Sequence, residues 1–392
     1  MRHVLFIEPY DGGSHRAFRE GLIRHSRHRF TSLTLPARFW KWRMRGAAAW
    51  FADRLAAAPP AACDLVVATD FLNAADLRGL LPAPLYRVPL LLYMHENQLT
   101  YPLSPQEEFD FHFGFTNIIS ALAADRVVFN SPWHRDVFLD GLPDYLARMP
   151  EAVPTGVRER LTARSDVLAV GLDRDPLPAD HYPRYRGGRC DPDAGPLWPW
   201  GERPLLLWNH RWEFDKRPEL FAAALGRLLD AGLDFDVALV GDPRAEHPDF
   251  LAIRERLGPR CVAWGRLDSR AQYDRLLESA DIVVSCAAQE YFGIAVAEAI
   301  HAGCYPVLPQ GQVYPSLYGT RCRGRHFYAD GDVASLTALL GELVAGDSCG
   351  HVCSLDRDVD AFCWPRLAPA WDDLLETVAA AGRRPSGAGG PA

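Results

Sequence analysis

The sequence predicts an α/β protein built as two doubly wound halves. Short apolar runs rich in Val, Leu and Ile recur along the chain without polar alternation, as strands buried on both faces of a parallel sheet require. Helical patterns fall between them and supply right-handed crossovers. A stretch at 173–204, with seven prolines and no periodic apolar pattern, divides the runs into two sets. At 392 residues the chain has the length of two or three domains.

In order, the strands expected in the first half are residues 4–7, 65–68, 89–94 and 126–130. Those of the second half are 205–209, 235–240, 261–264, 281–285 and 305–308. Helical patterns cover 18–25, 116–124, 217–231 and 271–278. The predicted division is a first domain over 1–172, a linker over 173–204 and a second domain over 205–363. A helix at 364–382 follows, then a disordered Gly/Pro/Ser-rich tail at 383–392. Two such domains joined by a linker are expected to face one cleft. Ligands bind doubly wound sheets beyond the strand C-termini, at switch points, so chemistry is sought there.

Composition narrows the function classes. Hydrophobic residues make up 48% and charged residues 23%, the balance of a soluble globular protein. No apolar run reaches 18 residues, so no transmembrane helix and no membrane partner are expected. The run after Met1 is too short for a signal-peptide core and is expected to be a first buried strand. Nine scattered cysteines suit reduced thiols of a cytoplasmic protein rather than a disulfide framework. The net charge is −8. The first 50 residues hold ten basic and three acidic residues, a surplus of +7 that leaves −15 for the rest. A general nucleic-acid coater is thereby excluded, whereas a local basic docking face is not. Among 42 basic residues only Lys41 and Lys216 are lysine.

Four motifs stand at strand ends, and a fifth lies apart from them. The first follows 281–285 and contains Glu290, Gly293, Ile294, Glu298 and Gly303. Eight helical positions between the glutamates span about 12 Å. That is too far for a glycosidase carboxylate pair, at roughly 5–9.5 Å, but suits the two ends of one elongated ligand. Free N–H groups near Gly293 can bind a diphosphate between them. The second, Asn209-His210-Arg211-Trp212-Glu213-Phe214-Asp215-Lys216-Arg217-Pro218, follows 205–209. Its Arg211 and Lys216 can converge on a diphosphate, with Pro218 near a helix start. The third, His95-Glu96-Asn97-Gln98, places four polar side chains at a buried strand's end, with a helix cap by Asn97 as the structural alternative. The fourth, Asp11-Gly12-Gly13-Ser14-His15, is a glycine turn that can bring phosphate or acceptor against backbone. The fifth interleaves cations and rings: Arg38, Phe39, Trp40, Lys41, Trp42, Arg43 and Arg45. Phosphate pairing with base stacking is one reading. A helix with Trp40 or Trp42 in the core and arginines in water is the other. No metal-ligand spacing and no G-x-S-x-G nucleophile elbow occurs.

The Glu290–Glu298 spacing with Arg211 and Lys216 resembles the retaining GT-B glycosyltransferases of the glycogen-synthase-like superfamily. The whole chain is similar, more closely, to the tRNA-queuosine alpha-mannosyltransferases. The similarity runs through residues 7–15, Leu35-Pro36-Ala37 with the Trp-rich basic stretch, and His95-Glu96-Asn97-Gln98 with Tyr101-Pro102. It continues through 128–131, His210-Arg211-Trp212-Glu213 and Gly303-Cys304-Tyr305-Pro306.

The resemblance implies a GT-B fold whose terminal helix crosses back to the first, acceptor-binding domain, the second domain holding a nucleotide sugar. It implies that Glu290 contacts donor-sugar hydroxyls, Glu298 holds the ribose, and Arg211 and Lys216 neutralise the leaving diphosphate. His95 would lie against the sugar, with Gly12 and Gly13 bordering diphosphate and acceptor and Gly293 and Ile294 lining the donor site. Arg38, Lys41, Trp42, Arg43, Arg45, Asn97 and Gln98 are the acceptor candidates. The expected function is transfer of mannose from GDP-mannose to the cyclopentene-diol of queuosine in a tRNA, with tRNA-Asp the expected one. No metal, further cofactor or obligatory protein partner is expected. A GT-B transferase with another donor or a small or lipid-linked acceptor is the alternative enzyme, and a tRNA-binding module on a GT-B scaffold the alternative non-enzyme.

Overall fold

In the computed structural model the described residues are 1–104, 106–181, 203–242, 247–319, 326–345 and 355–382. Most of the expected linker, 182–202, and the expected tail lie outside them. The chain divides into two compact units. One comprises Met1–Asp175 with Phe362–Ala392, the other Pro176–Ala361.

In chain order the first unit contains β1 (His3–Asp11), α1 (Gly13–His25), β2 (Arg29–Pro36), α2 (Trp40–Ala57), β3 (Leu65–Thr69) and α3 (Ala74–Leu80). It continues with β4 (Leu90–Met94), α4 (Phe111–Ala123), β5 (Arg126–Phe129), α5 (Pro132–Leu146), α6 (Val157–Thr162) and β6 (Ser165–Val167). Among the described residues its six strands form one parallel sheet in the order β2-β1-β3-β4-β5-β6. β3 and β4 are buried at every position, as their uninterrupted apolar runs demand. The chain leaves β1 toward β2 on one side and returns to β3 on the other, so the switch point lies between β1 and β3.

The second unit contains β7 (Leu205–Trp208), α7 (Pro218–Asp230), β8 (Asp236–Val240), α8 (Pro248–Leu257), β9 (Cys261–Gly265), α9 (Arg270–Ser279) and β10 (Ile282–Val284). α10 (Ile294–His301), β11 (Tyr305–Pro309), α11 (Tyr314–Tyr318), β12 (Phe327–Tyr328), α12 (Val333–Ala345) and α13 (Leu355–Asp360) complete it. Its sheet order, among the described residues, is β12-β11-β10-β7-β8-β9, again parallel. The switch point here lies between β7 and β10, whose outgoing loops carry the second and first sequence motifs.

The last helix, α14 (Trp364–Ala381), belongs to the first unit. Its stripe Trp364, Leu367, Trp371, Leu375 and Val378 is buried, the period that the sequence shows. The Trp371 ring lies 5.2 Å from Phe18 and 5.1 Å from Tyr93. Asp372 accepts from the Arg27 backbone N–H at 3.0 Å, and its carbonyl is 3.0 Å from His28 Nε2. Two glycines make room for Trp364. A Cβ on Gly21 would stand 1.9 Å from its Nε1, and one on Gly171 2.1 Å from its Cε2. Gly21→Ala or Gly171→Ala is therefore expected to cost about 1–3 kcal/mol as overpacking. A thermal melt checks this, and an unchanged Tm would mean the indole is not tightly seated.

β2, β6 and β12 are absent from the sequence expectation. All three are edge strands, and the first two lack fully buried positions. The described cysteines Cys63, Cys261, Cys286, Cys304 and Cys363 are free thiols.

Candidate functional site

In the second unit, the loop after β7 brings Arg211 and Lys216 to one carboxylate. Asp215 Oδ2 lies 3.1 Å from Lys216 Nζ and 3.8 Å from Arg211 Nη2. Across the switch point, Glu290 from the loop after β10 meets Lys216 at 3.1 Å, and the ammonium also donates to the Gln289 carbonyl at 2.7 Å. Lys216 is buried. Burial disfavours its charge, but Glu290 and Asp215 outweigh this and hold it above the ordinary lysine value. Burial likewise works against the Glu290 carboxylate, and Lys216 outweighs it, so Glu290 is held below the ordinary value. His210, buried beside this cluster, is pushed down to about 4 by burial and by Lys216.

Gly293 caps α10 in the left-handed region, at φ 80°. A Cβ there would approach the Tyr314 ring to 3.1 Å and Glu290 Cγ to 3.4 Å. Glycine thus lets Glu290 sit tight beneath the first turn, where Ile294 begins the helix and its first N–H groups lack intrahelical partners. Glu298, further along α10, is buried and pairs with Arg270 Nη2 at 2.7 Å. Arg270 and Tyr273 of α9 line a cavity of about 260 Å³ with Asn209, Gly241 and Arg266. Asn209 Nδ2 donates to the Tyr273 hydroxyl at 3.0 Å and to the Ala295 carbonyl at 2.8 Å. This wall escapes sequence inspection. Arg270 and Tyr273 stand in a charged amphipathic helix that looks solvated, and only Ser269, the cap that starts it, marks the place.

In the first unit, the Gly12-Gly13 turn opens α1. A Cβ on Gly12 would stand 2.4 Å from that of Ala37, and Gly13 is left-handed at φ 51°. His95 follows β4 and is buried. Its backbone N–H donates to Asp70 at 2.9 Å and its carbonyl accepts from Asn130 at 2.8 Å. Burial and the neighbouring His15 hold its imidazole well below the ordinary value. Asn97 does not cap a helix. Its carbonyl oxygen accepts from the Leu99 and Thr100 N–H groups, both at 3.0 Å, so it builds a turn and is fully buried. Gln98 donates to Glu96 at 2.8 Å. Asn97 is thus enclosed by its own turn, while Gln98 is half-buried.

The basic-aromatic stretch divides. Trp40 turns inward, 5.8 Å from Phe71 and 5.1 Å from Phe113, and Met44 is in the core. Phe39 and Trp42 are 71% and 64% exposed, with one edge of the Trp42 indole lying over Gly46. Arg38 is exposed beside Phe39. Lys41 pairs with Glu107 at 2.9 Å, Arg45 with Asp110 at 2.6 Å, and Arg43 donates to the Pro36 carbonyl at 3.3 Å.

Comparison with known proteins matches both units. Residues 3–172 fit the family described as tRNA-queuosine alpha-mannosyltransferase N-terminal, and residues 199–348 fit glycosyl transferases group 1. The tRNA-queuosine alpha-mannosyltransferase of Drosophila melanogaster is 36% identical over 321 residues, 81% of this chain and 81% of the relative. The chain belongs to the tRNA-queuosine alpha-mannosyltransferase family. It is a glycosyltransferase. Solved structures agree on the fold, which is GT-B. Sucrose-phosphate synthase from Thermosynechococcus elongatus superposes with a TM-score of 0.65 at 15% identity, covering 97% of this chain and 100% of that one. The catalytic domain of starch synthase IV from Arabidopsis thaliana, bound to ADP and acarbose, gives 0.66 at 11%, covering 97% and 99%. Among the described residues no helix is long and apolar enough to cross a membrane.

Proposed function

We propose that the chain transfers mannose, with retention, from GDP-mannose to the cyclopentene-diol of queuosine in tRNA, tRNA-Asp being the expected acceptor. The observation that carries this is the match of both units to the family, with 36% identity to a tRNA-queuosine alpha-mannosyltransferase. The nucleoside of the donor is assigned to the cavity beside Arg266, Arg270 and Tyr273, with Glu298 reaching the ribose as it shares Arg270. Glu290 would accept hydrogen bonds from sugar hydroxyls. Its low pKa suits an acceptor and not a proton donor.

Glycosyl transfer breaks the C1–O bond to the diphosphate through an oxocarbenium-like state. Negative charge develops on the departing phosphate, and Arg211, Lys216 and the N–H groups at the start of α10 are the groups proposed to stabilise it. In this reading the acceptor hydroxyl attacks from the face the phosphate leaves, and the phosphate takes its proton. His95 would meet the sugar, and Gly12 and Gly13 would let diphosphate and acceptor approach backbone. Phe39 and Trp42 offer stacking surfaces to splayed anticodon bases.

The deciding experiment is mass spectrometry of queuosine-containing tRNA after incubation with the enzyme and a panel of nucleotide sugars. A hexose added only from GDP-mannose is expected. Addition from another donor, or none to tRNA, sinks the assignment. Since basic side chains are offered to the diphosphate, activity is expected to persist in EDTA. Complete loss, restored by Mg²⁺ or Mn²⁺, would show that the charge is neutralised otherwise.

A further inference from the structure

Four ionisable side chains meet at the switch point of the first unit: Glu8 from β1, Asp70 just past β3, His15 from α1 and His95 just past β4. Glu8 is fully buried. One of its oxygens, Oε1, accepts from the Tyr10 N–H at 2.9 Å and the Thr69 hydroxyl at 2.9 Å, and lies 3.1 Å from His15 Nδ1. A carboxylate inside a sheet carries a large desolvation cost that an amide would avoid. The fold keeps the acid and gives it a cation. Burial alone would suppress protonation of His15, but Glu8 outweighs it, and the imidazole is raised to about 9.

The His15 ring lies flat on the His95 ring, with centroids 3.9 Å apart and planes at 29°. Phe71 backs His15, with centroids 5.3 Å apart. Phe18 and Tyr93 meet His95 edge-on, with centroids 5.2 and 4.8 Å away. His95 is thus fixed through its backbone, one face and its edges, while among the described residues its buried Nε2 has no hydrogen-bond partner. Glu8, His15 and His95 could each offer one ligand atom within a 4.8 Å spread. Stacked imidazoles, however, carry their in-plane lone pairs side by side and not toward one centre, which disfavours a shared metal ion.

We propose that Glu8 and His15 are positioning residues for the transfer: a buried, hydrogen-bonded carboxyl–imidazole pair that lies against the His95 ring and fixes its orientation at the site. This rests on the assignment of His95 to the donor sugar. Burial first, and then His15 and His134, hold the His95 imidazole well below the ordinary value, so the pair's part is to set the position of the ring and not its charge. The charged and titratable groups facing His15 are Glu8, Asp70, Glu96, His95 and Tyr10. Arg16 and Arg19 on its own helix pair with Asp11.

The sign of the pH effect follows. The folded His15 value exceeds the unfolded one of about 6.5, so the pair's contribution is complete below that pH and lost as pH rises through about 9. The test compares wild type, Glu8→Gln and His15→Asn by histidine-selective NMR titration and by kinetics. In wild type one imidazole should titrate near 9, vanish in His15→Asn, and fall by two units or more, to about 6.5 or below, in Glu8→Gln. With queuosine tRNA, both variants should lose about tenfold to hundredfold in kcat. The KM for the nucleotide sugar should change little, and the alkaline limb near 9 should move down in Glu8→Gln. A pair with only a structural role would lower Tm without moving that limb. Absence of any imidazole titrating well above the ordinary range, or an unmoved limb in Glu8→Gln, overturns the proposal. If wild type itself transfers no sugar, the transferase assignment fails, and the titration still decides whether the pair exists.

Discussion

Lys216→Ala is expected to lower kcat by about 10²–10³, the loss of about 3–4 kcal/mol that one charge-assisted contact to a developing oxyanion supplies. The structure adds a second consequence. Lys216 is the cation between Glu290 and Asp215, at 3.1 Å from each. Without it Glu290 keeps its burial and the neighbouring Asp215 carboxylate, both of which work against its charge. Glu290, now held low chiefly by Lys216 against burial, should then protonate at higher pH. The acid limb of kcat should move up as the maximum falls. Arg211 is 41% exposed and paired with Glu213 at 2.8 Å, so its removal should cost less. Removing a buried cation from between two carboxylates also costs stability, about 3–5 kcal/mol, so a thermal melt of Lys216→Ala accompanies the kinetics and separates lost chemistry from lost fold. Near-normal turnover in Lys216→Ala would remove the leaving-group assignment. A loss confined to KM for the donor would place Lys216 in ground-state binding instead.

How far the sequence led depended on burial. Strands such as β3 (Leu-Val-Val-Ala-Thr), β4 (Leu-Leu-Leu-Tyr-Met) and β7 (Leu-Leu-Leu-Trp) are almost wholly apolar runs without alternation, and a central parallel strand requires just that. β2, from Arg29 to Pro36, has one covered edge and alternates Phe30, Ser32 and Thr34 with other residues, so it carries little signal. Lys216, Arg211 and Glu290 were legible because each stands at a strand end in a motif with glycine or proline punctuation. Arg270 was not, since its partner Glu298 is on another helix and the pairing exists only in space. Glu8 was hidden for the opposite reason. It interrupts an apolar strand and looks like that strand's end, yet β1 runs on to Asp11 with Glu8 inside it. Its meaning comes from His15 and Thr69, which only the parallel pairing of β1 with β3 and the return of α1 bring near.

Replacing Lys41, Arg43 and Arg45 by Gln is expected to weaken tRNA binding by about tenfold to hundredfold and to reduce the slope of log K against log salt by up to about three. The chain is acidic at −8, so an anionic tRNA needs a local cationic face, and the surplus of the first 50 residues is centred here. The pairings temper the size of the effect. Lys41 and Arg45 already hold Glu107 and Asp110, and phosphates would have to displace these carboxylates. Exposed ion pairs of this kind are worth at most about 1 kcal/mol, so the exchange is accessible but not free. This gives a control of opposite sign: Glu107→Gln with Asp110→Asn should tighten tRNA binding, while the amide at 110 can still accept from the His112 N–H and cap α4. Ring removal is informative as well. Trp42 is 64% exposed, so Trp42→Ala should leave the fold intact and cost about 1–3 kcal/mol if a base stacks there. In every variant KM for the nucleotide sugar should hold, since the donor is assigned to the second unit. Normal tRNA affinity in the triple variant at matched ionic strength would make the stretch structural. No tRNA affinity in wild type at low salt would remove the tRNA acceptor itself and point to a smaller one.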